Sequence, residues 1–127
     1  MKILFILSFL IIQALALEAT KKNILKLKQQ HIPIIDIRLP SEWKATGTIP
    51  NALKITFFND MGAVKKDFFK YLKNNNLDKN SKFAIICRTG HRTRIASQIL
   101  KREGYQNIID LEGGMYNLCK SLLKDIK

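Results

Sequence analysis

Apolar residues recur along this chain in two rhythms, a helical one and a short continuous one, and their alternation predicts a sheet layered with helices. Thr20 to Gln30 reads as a basic helix with Ile24, Leu25 and Leu27 turned inward, and Ile34 to Ile37 as a strand. Pro40 to Ala45 is a short helix, Ala52 to Ile55 a second strand, and Phe57 to Met61 a loop. Val64, Phe68, Tyr71 and Leu72 stand at helical spacing, in a helix that Asn74, Asn75 and Asn76 terminate. The unbroken run Phe83 to Ile86 predicts a strand covered on both faces. A helix opening near Arg92 or Thr93 follows, with Ile95, Ala96, Ile99 and Leu100 inward and a stop at Gly104. Ile108 to Leu111 is the next strand, and Met115, Leu118, Cys119, Leu122 and Ile126 mark a last helix. The fold class is α/β, a mostly parallel central sheet with helices on both faces.

The first residues follow a different pattern. Met1-Lys2 is followed by the apolar run Ile3 to Ile12 and then by Ala14-Leu15-Ala16, the three parts of a secretory signal. Cleavage is expected after Ala16. The run is shorter than the roughly 20 residues a spanning helix needs, so no stable membrane insertion is expected after cleavage. Residues 1–16 are therefore read as a signal peptide and 17–127 as one domain, in a periplasmic or secreted protein. A single domain of this size is expected to be a monomer or a weak dimer.

Charge narrows the class of partner. The chain carries 22 Lys and Arg against 10 Asp and Glu, a net charge of +12. Such a surface attracts anions. Most of the lysines read as solvated helix faces, and no nucleic-acid motif accompanies them, so no nucleic-acid partner is expected. His31 and His91 are the only histidines and no paired cysteine motif occurs, so no metal is expected. Cys119, at the helical spacing of the last helix, reads as a small buried hydrophobe; the alternative is a thiol that resolves an oxidised Cys87.

The chemistry concentrates at Cys87. It ends the Phe83–Ile86 strand, faces the start of a helix, and is followed by Arg88, Thr89, Gly90, His91, Arg92, Thr93 and Arg94. Helix N-termini and neighbouring arginines favour the anionic form of a thiol. Gly90 lets the backbone curl its amides inward around whatever Cys87 carries.

Cysteine at a strand end followed by Arg-Thr-Gly-His-Arg-Thr resembles the active-site loop of the rhodanese family of sulfurtransferases. Asp36-Ile37-Arg38 is similar to the family's Asp-x-Arg, Ser41-Glu42-Trp43 to its acidic-aromatic helix, Gly47 to Ala52 to its Gly-His-Ile-Pro-Gly-Ala turn, and Leu111-Glu112-Gly113-Gly114 to its late Gly-Gly. Thr48 and Asn51 stand where histidine and glycine are common. The resemblance runs from about Ile34 to the C-terminus. It implies a rhodanese-like fold and a Cys87 nucleophile that takes sulfane sulfur from a small sulfur-containing anion such as thiosulfate. The persulfide would then be discharged to cyanide or a thiol, chemistry that requires no cofactor.

Under this resemblance Arg88, Thr89, Gly90, His91 and Arg92 form the substrate-binding loop, with Arg88 and Arg92 as contacts for a sulfonate and His91 as a candidate proton carrier. Asp36, Arg38 and Glu42 are structural support. Arg38 and Glu42, at helix-like spacing, are candidates for an ion pair. Phe57, Phe58, Met61 and Tyr116 are candidates for an apolar rim. The competing readings are a non-enzymatic binding or sulfur-carrier module and a cysteine-dependent phosphatase or arsenate reductase. The latter needs five residues between cysteine and arginine, and here four separate Cys87 from Arg92.

Overall fold

The structure, a computed structural model, describes residues 15–124. Residues 1–14 of the expected signal peptide and Ile126 of the last helix lie outside the described residues. Strands β1 (Leu15–Glu18), β2 (Ile34–Asp36), β3 (Leu53–Lys54), β4 (Lys82–Ile86) and β5 (Asn107–Glu112) form one sheet in the order β1-β5-β4-β2-β3. Every pairing is parallel. Helices α1 (Lys21–Gln29), α2 (Pro40–Thr46), α3 (Asp67–Asn74), α4 (His91–Arg102) and α5 (Gly114–Lys124) connect or follow them.

Side-chain alternation divides the core into two layers. Ile35, Ile37, Phe83, Ile85 and Ile108 pack with Phe68 and Leu72 of α3 and with Ala96 and Leu100 of α4. Ile34, Ala84, Ile86, Ile109 and Leu111 pack on the other face with Ile24 and Leu27 of α1 and Leu118 of α5. Cys87 continues the parity of Phe83 and Ile85, so its side chain falls on the α4 side of the sheet. Phe57 belongs to this core as well; it is fully buried and meets Phe58 and Phe68 edge to face, so it contributes no rim.

The structure departs from the sequence-based expectation at several points. β1 is a strand that hydrophobic patterning did not separate from the apolar N-terminal run, and it pairs Leu15 to Glu18 with Ile109 to Glu112. Leu25, Tyr71, Ile95 and Leu122 are exposed, each lying to the side of its helix's inward line. Val64 precedes α3 and forms an isolated antiparallel bridge with Phe58 across the turn at Asn59. Cys119 is exposed, because α5 turns Gly114 and Leu118 inward and Asn117 and Ser121 toward β1 and α1.

Beyond β2 sits a buried ion pair. The Arg38 guanidinium donates to both oxygens of Asp36, Nη2 to Oδ2 at 2.8 Å, and the two side chains are 2% and 0% exposed. The rest of the fork reaches α2 and its end: Nη1 donates to Thr46 Oγ1 at 2.9 Å and Nη2 to the Gly47 carbonyl at 2.7 Å. Thr48, at the position where the resemblance anticipates histidine, donates its hydroxyl to Asp36 Oδ2 at 2.6 Å. Asn51 takes φ +67°, the left-handed conformation a glycine would supply.

Candidate active site

β4 delivers Cys87 to the carboxyl end of the sheet, the side on which parallel α/β sheets hold their ligands. The thiol is fully buried beneath the loop that follows it. Gly90, at φ +95°, caps α4 and turns its backbone N–H onto the Cys87 Sγ at 3.2 Å. Helix α4 begins at His91, slightly earlier than patterning indicates, and its first turn brings the buried Thr93 hydroxyl to 3.7 Å from Sγ. Thr93 also donates to the Gly90 carbonyl at 3.2 Å, so its hydroxyl ties the loop to the helix. Sequence reasoning assigned Thr93 no role; a hydroxyl six residues beyond the cysteine, in the first turn of the helix, was its signal.

The loop is also held from behind by α5. Met115 N–H donates to the Cys87 carbonyl at 2.8 Å and Tyr116 N–H to the Arg88 carbonyl at 2.9 Å. These helix N-terminal amides, which have no partners within α5, fix the cysteine's own backbone. The approach is close: a Cβ on Gly114 would lie 2.5 Å from the Cys87 carbonyl oxygen and 2.7 Å from Arg88. Gly114 is thus required by contact with the loop, whereas a Cβ on Gly113 would meet the Asn117 side chain at 2.6 Å. Likewise a Cβ on Gly90 would stand 2.9 Å from Gly113 N.

The loop residues divide by exposure. Arg88, Thr89 and His91 are exposed and Gly90 and Arg92 half-buried. Arg92 is engaged in a bidentate pair with Glu42, Nη1 to Oε1 at 2.6 Å and Nη2 to Oε2 at 2.8 Å. Glu42 is therefore the partner of Arg92, while Arg38 pairs with Asp36. Arg88, directly after Cys87 in the chain, is exposed.

Two clefts flank the loop. One, of about 420 Å³, is walled by Glu42, Phe58, Asn59, Arg88, Arg92 and Ile95; Met61 stands 93% exposed at the tip of the neighbouring turn. The other, of about 340 Å³, is walled by Thr89, His91, Arg94, Asp110 and Glu112 between α4 and β5. Tyr116, on α5, lines neither.

The Glu42–Arg92 pair leaves a pH signature. The hydrogen bond from Arg92 holds the Glu42 carboxyl below its ordinary range, assisted by the Leu39 amide and opposed by partial burial. A depressed carboxyl stabilises the fold above its unfolded pKa, and that contribution disappears as pH falls through the folded value. Glu42→Gln is therefore expected to lower the melting temperature at neutral pH. The difference from wild type should vanish in acid below the ordinary carboxylate range, as read by thermal unfolding across pH.

Asp110 behaves in the opposite sense. It interrupts the apolar run of β5, its Oδ1 is buried without a hydrogen-bond partner, and burial pushes its carboxyl above the ordinary range. Glu112 adds to the rise, while Thr93 and Arg94 oppose it. A raised carboxyl binds its proton more tightly folded than unfolded, so its ionisation costs stability as pH rises through that window. Asp110→Asn is expected to melt a few degrees higher than wild type at neutral pH, with the gain lost as pH falls below the carboxylate range.

Comparison with known proteins agrees with this construction. A family model described as a rhodanese-like domain matches residues 18–121. The tRNA uridine(34) hydroxylase of Pelagibacter ubique is 33% identical over 91 residues, covering 72% of this chain and 28% of that protein. The adenylyltransferase and sulfurtransferase UBA4 of Debaryomyces hansenii is 26% identical over 90 residues, covering 70% of this chain and 19% of its own length. The chain thus spans less than a third of either relative. Among solved structures, a rhodanese-like domain protein from Staphylococcus aureus superposes with TM-score 0.59 at 26% identity, covering 81% of this chain and 89% of that one. The polysulfide-sulfur transferase homodimer of Wolinella succinogenes gives TM-score 0.59 at 25% identity, covering 88% and 74%. The parallel sheet and the cysteine cradle at the end of its β4 strand accord with these matches, and the chain belongs to the rhodanese-like domain family.

Proposed function

We propose that this protein is an exported sulfurtransferase that moves sulfane sulfur from a donor such as thiosulfate to cyanide or a thiol through a persulfide on Cys87. The observation that carries this reading is the Gly90 amide directed onto the Cys87 sulfur at 3.2 Å, in a loop that opens a helix. Donors of this kind stabilise charge on the sulfur without having to reorganise. The relatives named for sulfur transfer support the same chemistry.

In the first step the Cys87 thiolate attacks the outer sulfur of thiosulfate. A sulfur–sulfur bond forms to Sγ, the bond to the sulfonate sulfur breaks, and sulfite leaves with its electron pair. In the second, the acceptor's carbon or sulfur takes the outer sulfur and the Cys87 thiolate is regenerated. Arg88 is the residue we assign to the sulfonate, because Arg92 is already engaged by Glu42. Thr89, Gly90 and His91 supply the loop backbone around the outer sulfur, and His91 is the candidate proton carrier.

Intact mass of the reduced protein after exposure to thiosulfate and removal of excess donor tests the reading. The expected result is a gain of one sulfur atom, removed by cyanide with release of thiocyanate and absent in Cys87→Ser. Folded, reduced protein that gains no sulfur from thiosulfate or from polysulfide would overturn it. Export is tested separately, by whether protein recovered from outside the cytoplasm begins at Leu17.

A further inference from the structure

We infer that the solvent face shared by α1 and α5 is a docking surface for an anionic lipid bilayer. The two helices are neighbours on one side of the sheet, joined by Lys21 N–H to Ser121 Oγ at 3.0 Å and anchored inward by Ile24, Leu27 and Leu118. Their outward face carries Lys22, Lys26, Lys120 and Lys124, all exposed. No acidic residue occurs from Ala19 to Ile35 or from Gly113 to Lys124. Lys22, Lys26 and Lys120 therefore outnumber the acidic residues that flank these stretches in the sequence, Glu18 and Asp125.

Apolar side chains are interleaved with that charge. Leu25 is 49% exposed, Tyr116 63% and Leu123 63%, with Lys120 Nζ lying 5.4 Å from the centre of the Tyr116 ring. Leu122 flanks them at 41%. Half of the large apolar side chains that stand exposed among the described residues thus belong to these two helices. Lysine around exposed leucine is the composition of a surface that lies on headgroups, ammonium groups on the phosphates and leucines at the acyl boundary.

Other occupants fit less well. A nucleic acid would set phosphates against the leucines. A second copy meeting face to face would oppose lysines to lysines. The contact is peripheral and inserts no helix; among the described residues none is long and apolar enough to cross a membrane.

Cys119 provides the probe, because it is exposed on the same helix while Cys87 is buried. The full-length chain carrying Cys87→Ser, with an environment-sensitive fluorophore on Cys119, is titrated with phosphatidylcholine vesicles and with vesicles containing added phosphatidylglycerol. The expected result is a blue shift on anionic vesicles alone, reversed by salt. Affinity should weaken by about tenfold or more in Lys22→Glu/Lys26→Glu/Lys120→Glu and fall in Leu25→Ser/Leu123→Ser, with circular dichroism and melting showing each variant folded. A silent Cys119 probe on a chain that still sediments with vesicles would overturn the inference, since attachment would then lie in the N-terminal run. An equal shift on neutral vesicles, or a shift on duplex DNA with none on vesicles, would overturn it as well.

Discussion

Asp36→Ala is expected to destabilise the domain by about 3–5 kcal/mol, the cost of leaving a buried charge without its partner. Arg38 is 2% exposed and cannot recover water without dismantling the junction between β2 and α2. Three donors would lose their acceptor together: the guanidinium, the Arg38 backbone amide and the Thr48 hydroxyl. Against a total stability of about 5–15 kcal/mol, such a loss brings much of the population to the edge of unfolding. Thermal and urea melts check it, with a midpoint at least about 10 °C below wild type as the expected outcome. A variant that melts like wild type would show that water reaches the guanidinium.

Gly114→Ala is expected to act on the chemistry more than its size suggests. The new methyl would meet backbone, the Cys87 carbonyl at 2.5 Å and Arg88 at 2.7 Å, with no flexible side chain to yield. The amides that α5 directs at that loop would be pushed away with it. Misplacement of a nucleophile by about 1 Å can cost about 100-fold in rate, and that is the loss expected in persulfide formation, measured by mass after brief exposure to donor. Gly62→Ala supplies the control. Its φ of +82° carries comparable backbone strain, but nothing stands within 4 Å of a Cβ there. If the two variants lose activity equally, strain alone is the cause and the contact is irrelevant.

The sequence reveals what is local. The strand ending at Cys87, the glycine of its loop and the Asp36–Arg38 pair are written within a few residues, where spacing dictates geometry. What it conceals is long-range. Glu42 meets Arg92 across fifty positions, so the ion pair first expected between Arg38 and Glu42 forms with a partner that helical spacing could not indicate. Cys119 shares its helical period with buried residues, but the phase of α5 is set by Asn117 and Ser121 reaching β1 and α1, and this turns the thiol outward. Asp110 was legible as a charge inside an apolar strand, an anomaly that patterning smoothed over.

β1 also bears on when the proposed signal cleavage could occur. The peptide bond between Ala16 and Leu17 lies inside the β1–β5 ladder, where Ala16 stands opposite Asp110 and Leu17 opposite Leu111. A protease must lay its substrate out extended along its own cleft, and a segment already zipped into a sheet cannot be so presented. The proposed cleavage at that bond would therefore be confined to the interval before β1 joins the sheet, which would make folding and cutting a competition in time. A chain that folds first would be locked as precursor. One cut first would enter the fold with only Leu17 and Glu18 left to line that edge.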